Sequence, residues 1–289
     1  MRTPVTVVTT FGLARTPAQI GMLDVLVDQG ISPDYFVGTS LGAVNAAASA
    51  AGCSTEQMRD FWIWIDEEIL SSPIRSLARS MSTRQSRKQE EQVRERLAAF
   101  LPATFDGLER PLRLLCTDLE TGTRVIVEQG DLPTAVMASC ALPGLFPPVE
   151  MGTGYVIDGG LVAGMPLRAV PVDTRTVIVL DTGNAVVSQE QASAYRWWEV
   201  GMQAYAHLIR GQSVHALMEV GARVPVVVIS TSSGQLLDFD SPSEAIDAGR
   251  HAAETQLAAL PARLRKGIYG LPPGLNEFES LHEICRDIE

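Results

Sequence analysis

The sequence predicts an α/β protein whose helices pack on a mainly parallel central sheet. Val5 to Thr9 is β-branched and apolar, which is typical of a buried strand. Thr16 and Pro17 indicate a helix start, with threonine as the cap and proline at the first helical position. An apolar stripe then continues to Gly30. A second strand begins at Tyr35 and leads into a second helix. Such alternation is typical of parallel strands connected by helices.

Composition indicates a globular protein with a large core. The chain has 289 residues, of which 46% are hydrophobic and 20% are charged, and we predict a single domain over residues 1–289. The formal net charge of −11 argues against nucleic acid or an anionic membrane as an electrostatic partner, because both would repel such a surface. Neutral acyl substrates are compatible with this charge.

The cysteines and the first residues favour a cytoplasmic protein. The four cysteines stand singly, with no C-x-x-C pair, which suits reduced thiols better than a disulfide framework or a zinc site: Cys53, Cys116, Cys140 and Cys285. The apolar run that follows Met1 is too short for the core of a signal peptide. No apolar run is long enough to span a bilayer. We therefore predict a cytoplasmic protein without a transmembrane segment, and transient membrane contact is left open.

Ser40 lies in a G-x-S-x-G pattern between a strand and a helix. Tyr35 to Val37 supplies the strand, and Ala43 to Ala51 consists almost entirely of small helix-forming residues. Gly38 and Gly42 lack a Cβ, so the strand and the helix can approach closely while the serine takes a strained conformation that exposes Oγ. This arrangement is typical of a nucleophilic serine. The pattern alone also occurs in glycine-rich loops, where it is only a turn.

Further strands and helices are predicted along the rest of the chain. The strands are Pro111 to Thr117, Arg124 to Val127, Tyr155 to Ile157, Thr176 to Leu180 and Pro225 to Ser230, and the last of these is expected to end the core. Helices are predicted from Ser54, over Leu132 to Cys140 and over 189–220. The aromatic run from Phe61 to Ile65 fits either core packing or the lining of an acyl pocket. The helical segment 189–220 is long and apolar enough to cover a pocket.

A serine hydroxyl needs a base before it can act as a nucleophile. Asp158 has a suitable setting, because an apolar strand precedes it and two glycines follow it, which would place it at the carboxyl edge of the sheet. Asp-Gly is also a common turn dipeptide, so a tight turn is the alternative. The histidines fall in predicted helices or near the C-terminus, which fits surface or packing roles: His207, His215, His251 and His282.

Four segments resemble motifs of the patatin-like phospholipase family, and they occur in the family's order: Phe36 to Ala47, Cys116 to Gly122, Ala138 to Val149 and Val156 to Val162. The resemblance implies a three-layer α/β/α sandwich and a Ser-Asp dyad that acts without histidine. On this basis Ser40 is the nucleophile and Asp158 the base. The supporting residues are Gly38, Gly42, Gly159 and Gly160. Because a carboxylate cannot fully deprotonate an alcohol, proton removal must accompany attack on the ester carbonyl, which places weight on an oxyanion hole.

The loop after the first strand departs from the family pattern. Family members have Gly-Gly-Gly-x-Arg-Gly there, whose N–H groups hold the oxyanion, whereas this chain has Phe11-Gly-Leu-Ala-Arg-Thr16. We predict Gly12 and Leu13 as the oxyanion hole, although Phe11 and Leu13 disfavour positive φ. Arg15 would hold the loop, meet a substrate phosphate or carboxylate, or face solvent. Gly164 stands where the family usually has asparagine after the Asp-Gly-Gly turn.

These observations predict a serine acyl hydrolase that acts on lipid or other acyl esters through an acyl-enzyme on Ser40. No cofactor and no metal are predicted, and the expected partner is an acyl ester or lipid substrate rather than nucleic acid. Two alternatives stay open. One is an acyltransferase or thioesterase in a biosynthetic pathway, and the other is a binding or regulatory relative whose altered loop no longer stabilises an oxyanion.

Overall fold

The computed structural model describes residues 1–65, 67, 83–143, 146–183, 197–231, 242–271 and 285–286. Their strands form one mixed, mainly parallel sheet of ten strands. In chain order these are β1 (Val5–Thr9), β2 (Tyr35–Thr39), β3 (Leu112–Asp118), β4 (Arg124–Val127), β5 (Val149–Met151), β6 (Gly154–Asp158), β7 (Thr176–Asp181), β8 (Pro225–Ser230), β9 (Gly267–Tyr269) and β10 (Cys285–Arg286).

The sheet order is β10-β9-β8-β7-β1-β2-β3-β6-β5, and β4 pairs with β3. The strands from β10 to β3 are parallel, whereas β4, β5 and β6 pair antiparallel. The two central strands β1 and β7 are buried along their whole length. Such strands need helices on both faces, which explains their continuous apolar, β-branched sequences.

Helices cover both faces of the sheet, which confirms the predicted α/β/α arrangement. They are α1 (Ala18–Asp28), α2 (Gly42–Ala50), α3 (Thr55–Trp64), α4 (Thr83–Phe100), α5 (Leu132–Ser139), α6 (Trp197–Gly221) and α7 (Pro242–Ala258). Neighbouring β1 residues point to opposite faces: Val7 belongs to the core under α1, α2 and α3, and Val8 belongs to the core under the C-terminal half of α6. No helix in these described ranges is both long and apolar enough to cross a bilayer.

Several local predictions agree with the structure. The strands β1, β4 and β8 have the predicted bounds. Ser54 caps α3 by accepting a hydrogen bond from the backbone N–H of Gln57, whose side chain bonds back to Ser54 N–H. Within the predicted segment 189–220, α6 begins at Trp197, and residues 189–196 lie outside the described part of the chain. That this segment covers the pocket, and that the chain is one domain, stay predictions.

Two local predictions are wrong. The strand β8 does not end the core, because the buried strand β9 pairs parallel with it. Thr16 does not cap the first helix: its φ of −54° and ψ of −34° are helical, whereas a capping side chain needs an extended backbone. The reason is that Leu13–Arg15 already forms a 3-10 turn, so α1 starts only at Ala18.

The sheet brings Asp158 next to the end of β2. The strand β2 pairs with β3 as far as Thr39 opposite Leu115. The strand β6 continues along the same edge of β3, with Asp158 opposite Cys116. Asp158 therefore pairs with β3 at the position that the next residue of β2 would take if the chain did not turn away at Ser40.

Candidate active site

Ser40 forms the sharp turn between β2 and α2. Its φ of 55° lies in the left-handed region, where a serine is strained. Close packing accounts for the flanking glycines, since a Cβ on Gly38 would lie 2.8 Å from Ala46 Cβ and a Cβ on Gly42 would meet the carbonyl oxygen of Thr10. The predicted strand-turn-helix geometry is confirmed.

The side chains of Ser40 and Asp158 are hydrogen bonded to each other. Ser40 Oγ donates to Asp158 Oδ2 at 2.6 Å, and the N–H of Gly160 donates to Asp158 Oδ1 at 2.7 Å. The backbone of Asp158 is also fixed, because its carbonyl accepts from Thr117 Oγ1 at 2.7 Å and its N–H donates to Ala141 O at 3.0 Å. Both side chains are buried, so the carboxylate is held on the hydroxyl with little freedom to turn away.

Burial sets the acidity of Asp158. Loss of water around the carboxyl raises its pKa from 3.8 to about 7, against the opposing effect of the hydrogen bonds from Ser40 and Gly160. A carboxylate in this range is a stronger base than an ordinary aspartate and is still ionised in part at neutral pH. The arrangement therefore suits proton removal from Ser40.

The backbone of Ser40 is held by the last residue of α5 and by the residue that follows it. The N–H of Ser40 donates to Ser139 Oγ at 3.1 Å, and Ser139 donates in turn to Leu115 O at 2.6 Å. Cys140 Sγ donates to the carbonyl of Ser40 at 2.9 Å, and burial raises the pKa of this thiol well above its usual value. Because the N–H of Ser40 already has an acceptor, donors for an oxyanion have to come from elsewhere.

In the loop after β1, one residue that is not glycine has a backbone conformation that favours glycine. Leu13 has a φ of 49°, contrary to the preference of a branched side chain. Its side chain is buried, and the turn is closed by hydrogen bonds from Arg15 N–H to Gly12 O and from Thr16 N–H to Leu13 O. The N–H groups of Gly12 and Leu13 donate to no acceptor among the described residues. Buried N–H groups without an acceptor are rare, and such donors are suited to a ligand.

A buried polar network holds this loop against α2. Gln19 Nε2 donates to Thr10 O at 2.9 Å, and Asn45 Nδ2 donates to Thr16 O and to Gln19 Oε1, both at 3.0 Å. Trp62 Nε1 donates to Asn45 Oδ1 at 2.8 Å. The two ends of the loop are thus fixed by side chains on α1 and α2. Gln19 and Asn45 are not predicted as site residues from the sequence, although a polar amide in an otherwise apolar helix face was the available signal.

An apolar pocket opens beside Ser40. Leu41 and Cys140, which both adjoin Ser40, form one side of it, and the aromatic run contributes Phe61, Trp62 and Ile65. The space between these side chains is about 570 Å³ when the open solvent at its mouth is included. Core packing and the lining of a pocket both apply to the aromatic run. Phe61 and Trp62 are buried in the core and also line this pocket.

The structure also gives the positions of Arg15, Tyr205 and three of the histidines. Arg15 is 4% exposed, so the interpretation that it faces solvent is wrong. Tyr205, on α6, places its hydroxyl near Gly160, where it bonds to no described residue and where burial and the Asp158 carboxylate raise its pKa. Three histidines are exposed on α6 and α7, in line with surface roles, and the fourth lies outside the described residues: His207, His215, His251 and His282.

Comparison with known proteins places the chain in a family. Residues 12–171, more than half of the chain, match the family model of patatin-like phospholipases. The chain belongs to the patatin-like phospholipase family. The resemblance seen in the sequence motifs is thereby confirmed.

Relatives of the patatin-like chain include uncharacterized bacterial proteins. An uncharacterized NTE family protein of Mycobacterium tuberculosis is 28% identical over 280 residues, which covers 88% of this chain and 46% of that protein. The chain thus spans less than half the length of that relative. The uncharacterized protein YqhO of Bacillus subtilis is 27% identical over 177 residues, or 52% of this chain and 61% of that protein.

Solved structures with a similar shape include two bacterial proteins. VipD from Legionella pneumophila matches with a TM-score of 0.49 and 15% identity, over 88% of this chain and 66% of VipD. The type III effector protein ExoU matches with a TM-score of 0.41 and 14% identity, over 88% of this chain and 53% of that chain.

The two departures from the patatin-like pattern are in contact with each other. A Cβ on Gly164 would meet Ile209 Cγ2 and would lie 2.9 Å from two ring carbons of Phe11. A Cβ on Gly183 would lie 2.5 Å from the same ring. Ile209 and Phe11 therefore fill the space that a side chain at position 164 would need, which explains why this chain has glycine where the family usually has asparagine.

Proposed function

We propose that this protein is a serine acyl hydrolase that acts on lipid or other acyl esters through a Ser40–Asp158 dyad. The observation that carries this proposal is the 2.6 Å hydrogen bond from Ser40 Oγ to Asp158 Oδ2, in a buried site where the pKa of the carboxyl is raised to about 7. Membership of the patatin-like phospholipase family supports the class of substrate.

The reaction follows from these contacts. Ser40 Oγ forms a bond to the ester carbonyl carbon while its proton passes to Asp158 Oδ2, and the carbonyl electron pair moves onto oxygen. Collapse of this intermediate breaks the ester bond, and the leaving alkoxide takes the proton from Asp158. Water then attacks the acyl-enzyme with Asp158 as the base again, which releases the acid and restores Ser40.

The oxyanion would be stabilised by the loop after β1. The N–H groups of Gly12 and Leu13 are the donors that we assign, because they have no acceptor among the described residues and Ser40 N–H is already used. One such donor is worth about 3 kcal/mol of barrier in other hydrolases. The positive φ of Leu13 supports an altered loop that still works, rather than a broken one.

The proposal is tested by comparing the wild type with Ser40→Ala on nitrophenyl butyrate and with a fluorophosphonate label. We expect Ser40→Ala to lower the rate by about a thousandfold or more and to lose the label, because no other hydroxyl among the described residues is bonded to the carboxylate of Asp158. Ser49→Ala, in the same helix region, is the matched control and should keep both. Equal rates in wild type and Ser40→Ala would overturn the proposal, and label without hydrolysis would instead indicate acyl transfer.

The apolar pocket beside Ser40 would hold the acyl chain. Val93 lines it from α4 and is only partly buried, so a larger side chain there fills the pocket without disturbing the core. We expect Val93→Trp to lower the hydrolysis of nitrophenyl decanoate by about tenfold and to leave the butyrate rate nearly unchanged, since a lost apolar contact of this size is worth 1–3 kcal/mol. Gln92→Trp adds the same side chain outside the lining and is the control. An equal effect of both variants on both esters would contradict the assignment.

A further inference from the structure

A second cleft lies at the opposite edge of the sheet from Ser40. It is formed where the parallel strands β1, β7, β8 and β9 begin, whereas Ser40 follows the carboxyl end of β2. Each of these strands is preceded by basic residues that line the cleft: Arg2 before β1, Arg175 before β7, Arg223 before β8, and Arg263, Arg265 and Lys266 before β9. Among the described residues, the rest of the lining is apolar and none is acidic.

This concentration of positive charge is unusual for the chain. The protein has 23 lysines and arginines against 34 acidic residues, yet the described residues that line the cleft include six of the cations and no carboxylate. Cations that share one concave surface produce a strong local potential, because their fields add and the low-dielectric wall focuses them. Holding them together costs repulsion energy, which an anion in the cleft would relieve.

The arginines of the cleft have no carboxylate partner among the described residues, unlike three other arginines of the chain. Arg113, Arg168 and Arg250 each form a salt bridge with a nearby carboxylate. Within the described ranges, no carboxylate forms a salt bridge with the five arginines of the cleft: Arg2, Arg175, Arg223, Arg263 and Arg265. Their guanidinium groups therefore have hydrogen-bond donors available for a ligand.

Backbone hydrogen bonds fix the positions from which these side chains extend. Arg2 N–H donates to Thr176 Oγ1 at 3.2 Å, and Thr176 Oγ1 donates to Arg2 O at 2.8 Å. Arg175 N–H donates to Pro4 O at 2.8 Å. Arg265 N–H donates to the hydroxyl of Tyr269 at 2.7 Å, and that hydroxyl donates back to Arg265 O at 3.1 Å. A fixed backbone lowers the entropy lost when a ligand binds.

We propose that this cleft binds a small soluble polyanion that carries more than one phosphate group. Arginine forks match phosphate oxygens in geometry and charge, and several arginines from different strands can contact phosphates at different places along one ligand. The cleft has a volume of about 470 Å³, which suits a small molecule. A net charge of −11 would repel a long nucleic acid. A membrane docked here would face away from Ser40, so it would not serve lipid hydrolysis.

Isothermal titration calorimetry with sodium tripolyphosphate tests this site. We expect wild-type protein to bind, with a Kd that rises with salt concentration. The double variant Arg175→Gln/Arg265→Gln should weaken binding by about tenfold or more, because charge-assisted hydrogen bonds to phosphate are lost. The double variant Arg110→Gln/Arg124→Gln removes the same charge from exposed positions elsewhere and should change Kd by no more than about twofold.

Three results would overturn the proposal. The first is no heat of binding with wild-type protein, and the second is an equal Kd in the two double variants. The third is binding to phosphatidylcholine vesicles that contain phosphatidic acid without binding to tripolyphosphate, which would identify a membrane surface. Equal Tm values of the two double variants without ligand would show that a difference in Kd does not arise from unfolding.

Discussion

Asp158→Asn is expected to abolish ester hydrolysis and, at alkaline pH, to increase the free energy of unfolding by about 2 kcal/mol. Activity is lost because an amide cannot accept the proton of Ser40, which the carboxylate now accepts at 2.6 Å. Stability increases because burial raises the pKa of Asp158 from 3.8 to about 7 in the folded protein, so the ionised carboxyl is less favourable in the fold than in the unfolded chain. Asparagine occupies the same space without a charge.

The pH dependence of this gain follows from the same pKa. Below a pH of about 4 the carboxyl is protonated in both states, so the wild type bears no cost from its charge. The cost grows as the pH rises from 3.8 to about 7 and is constant above that. The difference in unfolding free energy between Asp158→Asn and the wild type, measured by urea denaturation, should follow this course. The kcat/KM of the wild type should rise with pH through about 7, because only the ionised base accepts a proton.

Asp118→Asn provides the control with the opposite sign. Asp118 is the partly buried last residue of β3, and its pKa is lowered by hydrogen bonds from the backbone and side chain of Thr121, with a smaller one from Glu120. Removing this charge should lower the Tm and leave ester hydrolysis intact. Full activity in Asp158→Asn would show that Asp158 is not the base, and lower stability at alkaline pH would show that its burial does not disfavour the charge.

The parts of the site that the sequence predicts are those encoded locally. The strand, the turn at Ser40 and the helix after it follow from side-chain periodicity and from two glycines within five positions of each other. Asp158 is also signalled locally, by an apolar strand before it and two glycines after it. The family resemblance then assigns the roles of these residues, which the order and spacing of the strands do not.

The parts that were missed depend on contacts between distant segments. The strand β9 has three residues, too few to show a period, and it forms only because β8 offers a parallel edge. The positive φ of Leu13 contradicts its own preference and is sustained by burial of its side chain and by the turn that follows. The bonds that join Gln19, Asn45 and Trp62 connect three helices, so no local window contains them.

Gly164→Asn, which restores the residue usual in the family, is expected to destabilise the fold by about 2 kcal/mol or more. The new side chain would meet Ile209 Cγ2 and the ring of Phe11, and both are buried and cannot move into solvent. Gly122→Asn is the matched control, because a Cβ there meets nothing within 4 Å and asparagine tolerates the φ of 67°. Urea denaturation of both variants measures the difference.

A double-mutant cycle that combines Gly164→Asn with Phe11→Ala tests whether the two side chains are in contact or affect stability independently. Phe11→Ala alone should cost about 3 kcal/mol through the cavity it leaves, and in the double variant the asparagine should occupy part of that cavity. We expect a favourable coupling energy of about 1 kcal/mol or more between the two changes, and additive costs would contradict the contact. Because Phe11 adjoins the proposed oxyanion donors Gly12 and Leu13, the ester hydrolysis rate should fall in Gly164→Asn and recover in part in the double variant. A rate that falls in Phe11→Ala alone and recovers in part when the asparagine fills the cavity would show that packing at this place positions the loop.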